Sequence, residues 1–263
     1  SLLTLGHLAD DEEQQKKIAE YKTDDALEVR LAAGLALWRG GEDEALDFVF
    51  KELTGENNIY PLLRDQIGFL DDETEIKLLE KVLEEGKAPH KKATFRYLAD
   101  QHGPLYDLLA DHLDAGDKGL RSMAINAARY TGRTEALAAV QEKMLSSDDA
   151  ELQMAGFKLA EAISELPGRK ERSIEAFKAG LESDNLDIAE KSAVRLLELH
   201  DKSGTDRLVE ILKSAKEMKR KKRVARAILE HGVSPPAAPI KELYKDSKEK
   251  SEFRSLLLQL AVA

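Results

Sequence analysis

Apolar residues along this chain recur three and four positions apart, in short bursts separated by glycine, proline and acidic turns. In "EALDFVFKEL" (44–53) they fall at Leu46, Val49, Phe50 and Leu53, and in "DRLVEILKSA" (206–215) at Leu208, Ile211 and Leu212. That spacing lines one side of a 3.6-residue helix. Segments 75–85, 104–113, 134–145, 172–182 and 239–244 carry the same pattern. Gly40-Gly41, Gly86, Gly103-Pro104, Gly132, Pro167-Gly168, Gly204 and Pro235-Pro236 break it between helices. Thr134, Asp72 and Thr205 stand at predicted N-cap positions. No run alternates with the period of a strand.

Between these segments lies a second set of helices that repeats. "EVRLAAGLALWRGG" (28–41) and "GLRSMAINAARYTG" (119–132) both read apolar-Arg-x-x-small-x-x-Ala. Taking the small residue as anchor aligns Ala33, Ile67, Thr94, Ala124, Gly156, Ala193, Ala225 and Leu257. Three positions later come Ala36, Leu70, Tyr97, Ala127, Leu159, Leu196, Ile228 and Leu260, all apolar or aromatic. Three positions earlier come Arg30, Arg64, Lys91, Arg121, Gln153, Glu190, Lys222 and Arg254, six of them basic. The unit is two antiparallel helices in about 32 residues. One such pair cannot bury its own apolar stripe, whereas stacked pairs share a continuous core.

"DDALEVRLAAGLAL" (24–37), "DKGLRSMAINAA" (117–128) and "DDAELQMAGFKLA" (148–160) place Asp in the turn, then apolar-Arg, then Ala. In this the chain resembles the HEAT-repeat family, in its short HEAT-like (phycobilisome-lyase-type) form. The resemblance implies an all-α fold: a right-handed α-α superhelix, or HEAT-like solenoid, of about seven to eight helix pairs, with residues 1–263 as a single repeat domain. A tetratricopeptide array and a plain helical bundle are the competing all-α readings; the fixed 34-residue period and Trp/Gly/Tyr pattern of the first are missing. The opening "SLLTLGHLAD" resembles the tail of a second helix, and the closing "FRSLLLQLAVA" is apolar without a polar cap. Both suggest a piece of a longer array, or ends that pack on another chain.

Composition narrows the chemistry. Cysteine is absent, which removes disulfides, thiol nucleophiles and cysteine-bound metals. No apolar run approaches the roughly 18 residues of a membrane helix, so no membrane partner is expected. The N-terminal residues lack the positive region of a signal peptide. Cytoplasmic location is slightly favoured over export with the signal removed. The formal net charge of −10 is unevenly spread. Residues 10–85 carry 22 acidic against 9 basic residues, whereas 169–263 carry 21 basic against 16 acidic. Such polarity steers charged partners or drives head-to-tail contacts, and it also arises from local drift in surface composition.

No catalytic, cofactor or metal site is predicted. His7, His90, His102, His112, His200 and His231 form no His-x-x-x-His or His-Glu pair of the kind found in HEAT-like di-iron hydroxylases. Asp107, Asp111, His112 and Asp114 share a short helix, where an exposed polar face is expected in preference to a metal patch. His200 and His231 end helices, where a cation suits the C-terminal dipole. "GDKG" (116–119) and "GRT" (132–134) read as inter-helix turns. Trp38 with Arg39 and Asp43 invites comparison with HEAT-like DNA glycosylases, but one Trp in an acidic half does not make a nucleic-acid groove. The basic column before the anchors is expected to pair with turn carboxylates such as Asp24 or Asp117, linking neighbouring repeats.

One cluster stands out. In "KRKKRVARAIL" (219–229), Val224, Ala225, Ile228 and Leu229 form the apolar stripe, so the segment is a folded helix rather than a free basic tail. Lys219, Arg220, Lys222, Arg223 and Arg226 project elsewhere and are the candidate partner-binding residues. Counting Lys213, Lys216 and Lys221, eight cations face Glu217 alone. Without interleaved aromatics or a long basic track, the expected partner is a protein or acidic peptide rather than nucleic acid; a solvated face is the plainer alternative. The chain is thus read as a non-enzymatic scaffold holding a partner on a concave face formed by the second helices. The alternative is an enzyme subunit of lyase-chaperone or nucleic-acid-acting type, which would carry a compact polar cluster with perturbed ionisation in a groove.

Overall fold

The structure, a computed structural model, describes residues 12–247 and 251–262; the opening segment and His7 lie outside them. The described residues are all-α: sixteen α-helices and no strand. The chain divides into two compact units, 1–127 and 128–263, with the boundary inside the helix Lys118–Thr131.

The first unit begins with α1 (Glu12–Glu20), α2 (Leu27–Arg39) and α3 (Glu44–Gly55). A single turn α4 (Tyr60–Leu62) continues as a π-helical turn over Leu63–Ile67. Then come α5 (Asp72–Glu85), α6 (Ala88–Asp100) and α7 (Pro104–Asp111). Short connections fold α2 back on α1, α3 on α2, α6 on α5 and α7 on α6. Most helices also pack on the helix after next, as α3 does on α5 and α5 on α7.

After α8 (Lys118–Thr131), the second unit contains α9 (Ala136–Ala139), extended by a π-helical stretch over Val140–Leu145. It continues through α10 (Ala150–Ser164), α11 (Ile174–Leu181), α12 (Leu186–Glu198), α13 (Ser203–Ser214), α14 (Met218–Glu230), α15 (Ala237–Asp246) and α16 (Glu252–Val262). Here α11 packs on α13 and α13 on α15, forming one row; α10 packs on α12 and α14 on α16 in the other.

The anchor register holds. Ala33, Ile67, Thr94, Ala124, Gly156, Ala193, Ala225 and Leu257 are all buried. Of the column three residues later, only Ala127 is partly exposed. All seven predicted second helices form, including the two that carry π-helical or 3₁₀ turns. The caps differ from expectation. Asp71, not Asp72, caps α5 by accepting from the Thr74 amide, because the residue that caps must lie in the extended region just outside the helix. Thr205 lies inside α13, whose first turn is instead held by Asp201, which accepts from the Ser203 amide and hydroxyl.

The column three before the anchor has a largely local duty. Arg30 donates to the carbonyls of Asp24 and Asp25 and pairs with Glu52, while the Asp24 carboxylate accepts from the Ala26 amide. Lys91 donates to the Glu84 carbonyl, Gln153 to those of Leu145 and Ser147, and Arg254 to that of Ser247. A long polar side chain one turn into the helix thus reaches back and satisfies carbonyls left open by the preceding turn.

Two backbone features tighten α12. At its end His200 adopts φ 61°, and the His200 and Asp201 amides close onto the Leu197 and Leu196 carbonyls. This is a Schellman ending with histidine in the position glycine normally takes. Gly41 and Gly232 end α2 and α14 the same way. Gly204 lies against α12 so closely that a Cβ on it would sit 2.3 Å from the Ala193 carbonyl oxygen.

Candidate interaction surface

The basic helix α14 folds as its apolar pattern predicts. Val224, Ala225 and Ile228 are fully buried, and Leu229 is half-buried. This fixes where the cations point. The structure turns four of the five candidate residues toward acidic side chains about one repeat away. Arg223 makes a two-pronged pair with Glu190 of α12, its Nη2 lying 2.7 Å from Oε2. Arg220 bonds Asp187 and stands 3.4 Å from Glu190. Lys222 and Arg226 together hold Glu252 of α16. Lys219 is exposed and takes no acidic partner among the described residues.

The same pattern recurs one step earlier. Arg195 of α12 bonds Glu161 of α10 at 2.9 Å, Glu165 at the C-cap of α10 at 3.1 Å, and Glu198 at 2.7 Å. Ionic links therefore join α10 to α12, α12 to α14 and α14 to α16. The carboxyl side chain of Glu190 is only 7% exposed. A carboxylate buried to that degree is costly unless paired, and two arginines supply the pairing. The hydrogen bond to Glu190 raises the Arg223 pKa above its ordinary value, against a smaller opposing effect of burial. The hydrogen bonds from Lys222 and Arg226 hold the Glu252 carboxyl below its usual range. At Arg195 burial works against the charge, yet the bonds to Glu161 and Glu198 raise its pKa overall.

Between α10, α12 and α14 runs an open groove of about 720 Å³. The paired charges Arg195, Glu190 and Arg223 line it, with Phe157, Val194 and Ala227 as its apolar part. Unlike α10 and α12, the helices α12 and α14 do not pack closely, so this part of the row is spanned by ion pairs. Lys191 stands over the Phe157 ring at 5.7 Å.

The other expected features take structural places. His112 directs Nδ1 to the Leu108 carbonyl at 2.8 Å and packs edge-on against Phe95, away from any metal arrangement with Asp107. Among the described residues no group of three or more ligand-type side chains is placed to hold a metal ion. His231 is the C-cap of α14. Trp38 packs, partly buried, on the cluster of Ile18, Ala33, Ala36, Leu37 and Ala45.

One perturbed carboxyl was not anticipated. Glu75 is 2% exposed and accepts a 2.5 Å hydrogen bond from the Tyr97 hydroxyl. Burial raises its pKa to about 7; the bond from Tyr97 pulls it down, while Asp72 and Asp71 push it up. The signal was present in the sequence, because Glu75 stands at the head of the stripe Leu78, Leu79, Val82 and Leu83, on the inward face of α5. Neither Glu75 nor Tyr97 lines the groove between α10, α12 and α14. Neither a known protein family nor a curated protein matches the chain.

Proposed function

We propose that this chain is a non-enzymatic protein-binding module of the helical-repeat class, resembling HEAT-like solenoids, whose partner presents acidic side chains to the first-helix row of the second unit. The groove between α10, α12 and α14 carries this reading, since it combines an open apolar strip with charges along its length. The proposal moves the docking surface from the second helices to the first. It also divides the basic cluster by role. Arg220 and Arg223 neutralise the buried Glu190, so their first duty is to the fold. Lys219, Lys222 and Arg226 contact the partner: Lys219 is unengaged by acid among the described residues, and an exposed pair with Glu252 is weak enough for an incoming carboxylate to exchange with it.

The test uses the variant Lys219→Glu/Lys222→Glu/Arg226→Glu, which leaves the Glu190 pairs in place. A photo-crosslinker at Ala227, inside the groove, captures the partner from the native source. The proposal expects one dominant crosslinked protein with the parent and its loss with the variant. An unchanged crosslink pattern removes the basic face from the function.

A further inference from the structure

Six of the ten arginines of the second unit face carboxylates; Arg169 and Arg172, like Arg129 and Arg254, do not. Arg195, Arg207, Arg220, Arg223 and Arg226 each sit within ion-pair distance of Glu or Asp. Arg133 pairs with Glu135 at 2.7 Å. Arg169 and Arg172 instead converge on a neutral atom. Arg172 Nη1 donates to Thr134 Oγ1 at 3.2 Å, and Arg169 Nη1 approaches the same oxygen at 3.5 Å. No carboxylate of the described residues lies within ion-pair distance of either. Two guanidiniums, neither with a carboxylate of its own, are thus aimed at one hydroxyl oxygen that is itself esterifiable.

The cradle is built before any ligand arrives. Ser173 is fully buried and donates its hydroxyl to the Arg169 carbonyl at 3.1 Å, and its amide bonds the Lys170 carbonyl. The turn carrying both arginines is thereby fixed. On the opposing side Gly132 has φ 59°, and a Cβ there would lie 2.0 Å from Leu166 Cδ1, so the two turns press together at this point. Thr134 is half-buried beside the exposed Glu135, and its hydroxyl stands 3.5 Å from Glu135 Oε2. That carboxylate already has Arg133 as counter-ion.

We propose that Thr134 is a phosphorylation site, and that Arg169 and Arg172 form the receptor for its phosphoryl group. A protein kinase would transfer the γ-phosphoryl group of a nucleoside triphosphate. The bond from phosphorus to Oγ1 forms, the bond to the departing nucleoside diphosphate breaks, and the hydroxyl proton passes to the kinase's base. The product adds a charge of about −1.5 to −2 and three strong acceptor oxygens between two forked donors. The modification joins α9 more firmly to the turn before α11. It acts on a different part of the second unit from the groove, so it stands or falls independently of the partner reading.

The experiment incorporates phosphothreonine at position 134 of the full chain. Phosphorus NMR then follows the second ionisation of the phosphate, which lies near 6 for an exposed group. In the folded protein it should fall by about one unit relative to the same chain in denaturing urea, since nearby cations favour the doubly charged form. The shift should shrink by about half in Arg172→Gln and vanish in Arg169→Gln/Arg172→Gln. Thermal unfolding at low salt should occur several degrees higher with the phosphate than without it. The same ionisation in folded and urea-unfolded chains overturns the proposal without any variant. So does a phosphorylated chain that unfolds at or below the temperature of the unmodified one.

Discussion

Tyr97 of α6 donates its hydroxyl proton to Glu75 of α5 across 2.5 Å, and both side chains are buried. The pair sits where two apolar helix faces meet, so it ties α5 to α6 through a buried polar contact. Burial and the bond to Glu75 raise the Tyr97 pKa, so the hydroxyl stays a donor across the accessible pH range.

The pH dependence of stability follows. Folding raises the Glu75 pKa from 4.5 to about 7. Its contribution is fully present below the unfolded value and is lost as pH rises through the folded one, since the unfolded chain ionises first. The window runs from roughly 4.5 to 7, and the loss is about 3 kcal/mol. Glu75→Gln keeps an acceptor for Tyr97 but cannot ionise. Urea melts between pH 5 and pH 8 should show this part of the decline in the parent and not in the variant. Equal declines would mean that Glu75 titrates normally in the fold.

Glu190 answers to two arginines, so its removal is asymmetric. Glu190→Ala strips Arg220 and Arg223 of a shared acceptor and should cost about 2 kcal/mol. Arg223→Ala should cost less, since Arg223 is about half exposed and Arg220 remains beside Glu190. A double-mutant cycle by chemical denaturation measures the coupling; a value near zero would make the pair ornamental to stability.

Gly204 is required by contact rather than by backbone angle. Gly204→Ala drives a methyl group into the Ala193 carbonyl, which cannot rotate away as a side chain would. The expected cost is about 2 kcal/mol, from the forced separation of α12 and α13. Calorimetry of the full chain reads it directly.

His200 works in the opposite direction. It holds a left-handed conformation that costs a non-glycine residue about 1 kcal/mol. His200→Gly should therefore stabilise the protein by a little under that amount, because the more flexible unfolded chain offsets part of the gain. A fall in melting temperature would assign His200 a contact worth more than its strain.

The anchor positions were legible because they answer to one constraint: small or apolar residues where two helices meet. Even Thr94, the least apolar anchor, is fully buried. Cap positions missed by a residue or two, as with Asp71 for Asp72, because several acids in a row satisfy the same pattern. The basic cluster was visible, but its partners were not. Asp187, Glu190 and Glu252 lie 26 to 33 positions from the cations they bond, and a helical period read within one segment says nothing of the next. Glu190 did carry a hint, as the one acid in a column of otherwise basic or neutral side chains.

The ionic links of the second unit have a consequence for how it opens. Each joins residues 26 to 34 positions apart, from α10 to α12, α12 to α14 and α14 to α16. Contacts this local form early and carry little loop-closure cost, which favours rapid folding. They also let one link part while the others hold. Hydrogen exchange should then be graded along the unit. Amides of α16, tied to the row through Glu252 alone among these ion pairs, would exchange first, and those of α12 and α14, each held on both sides, last.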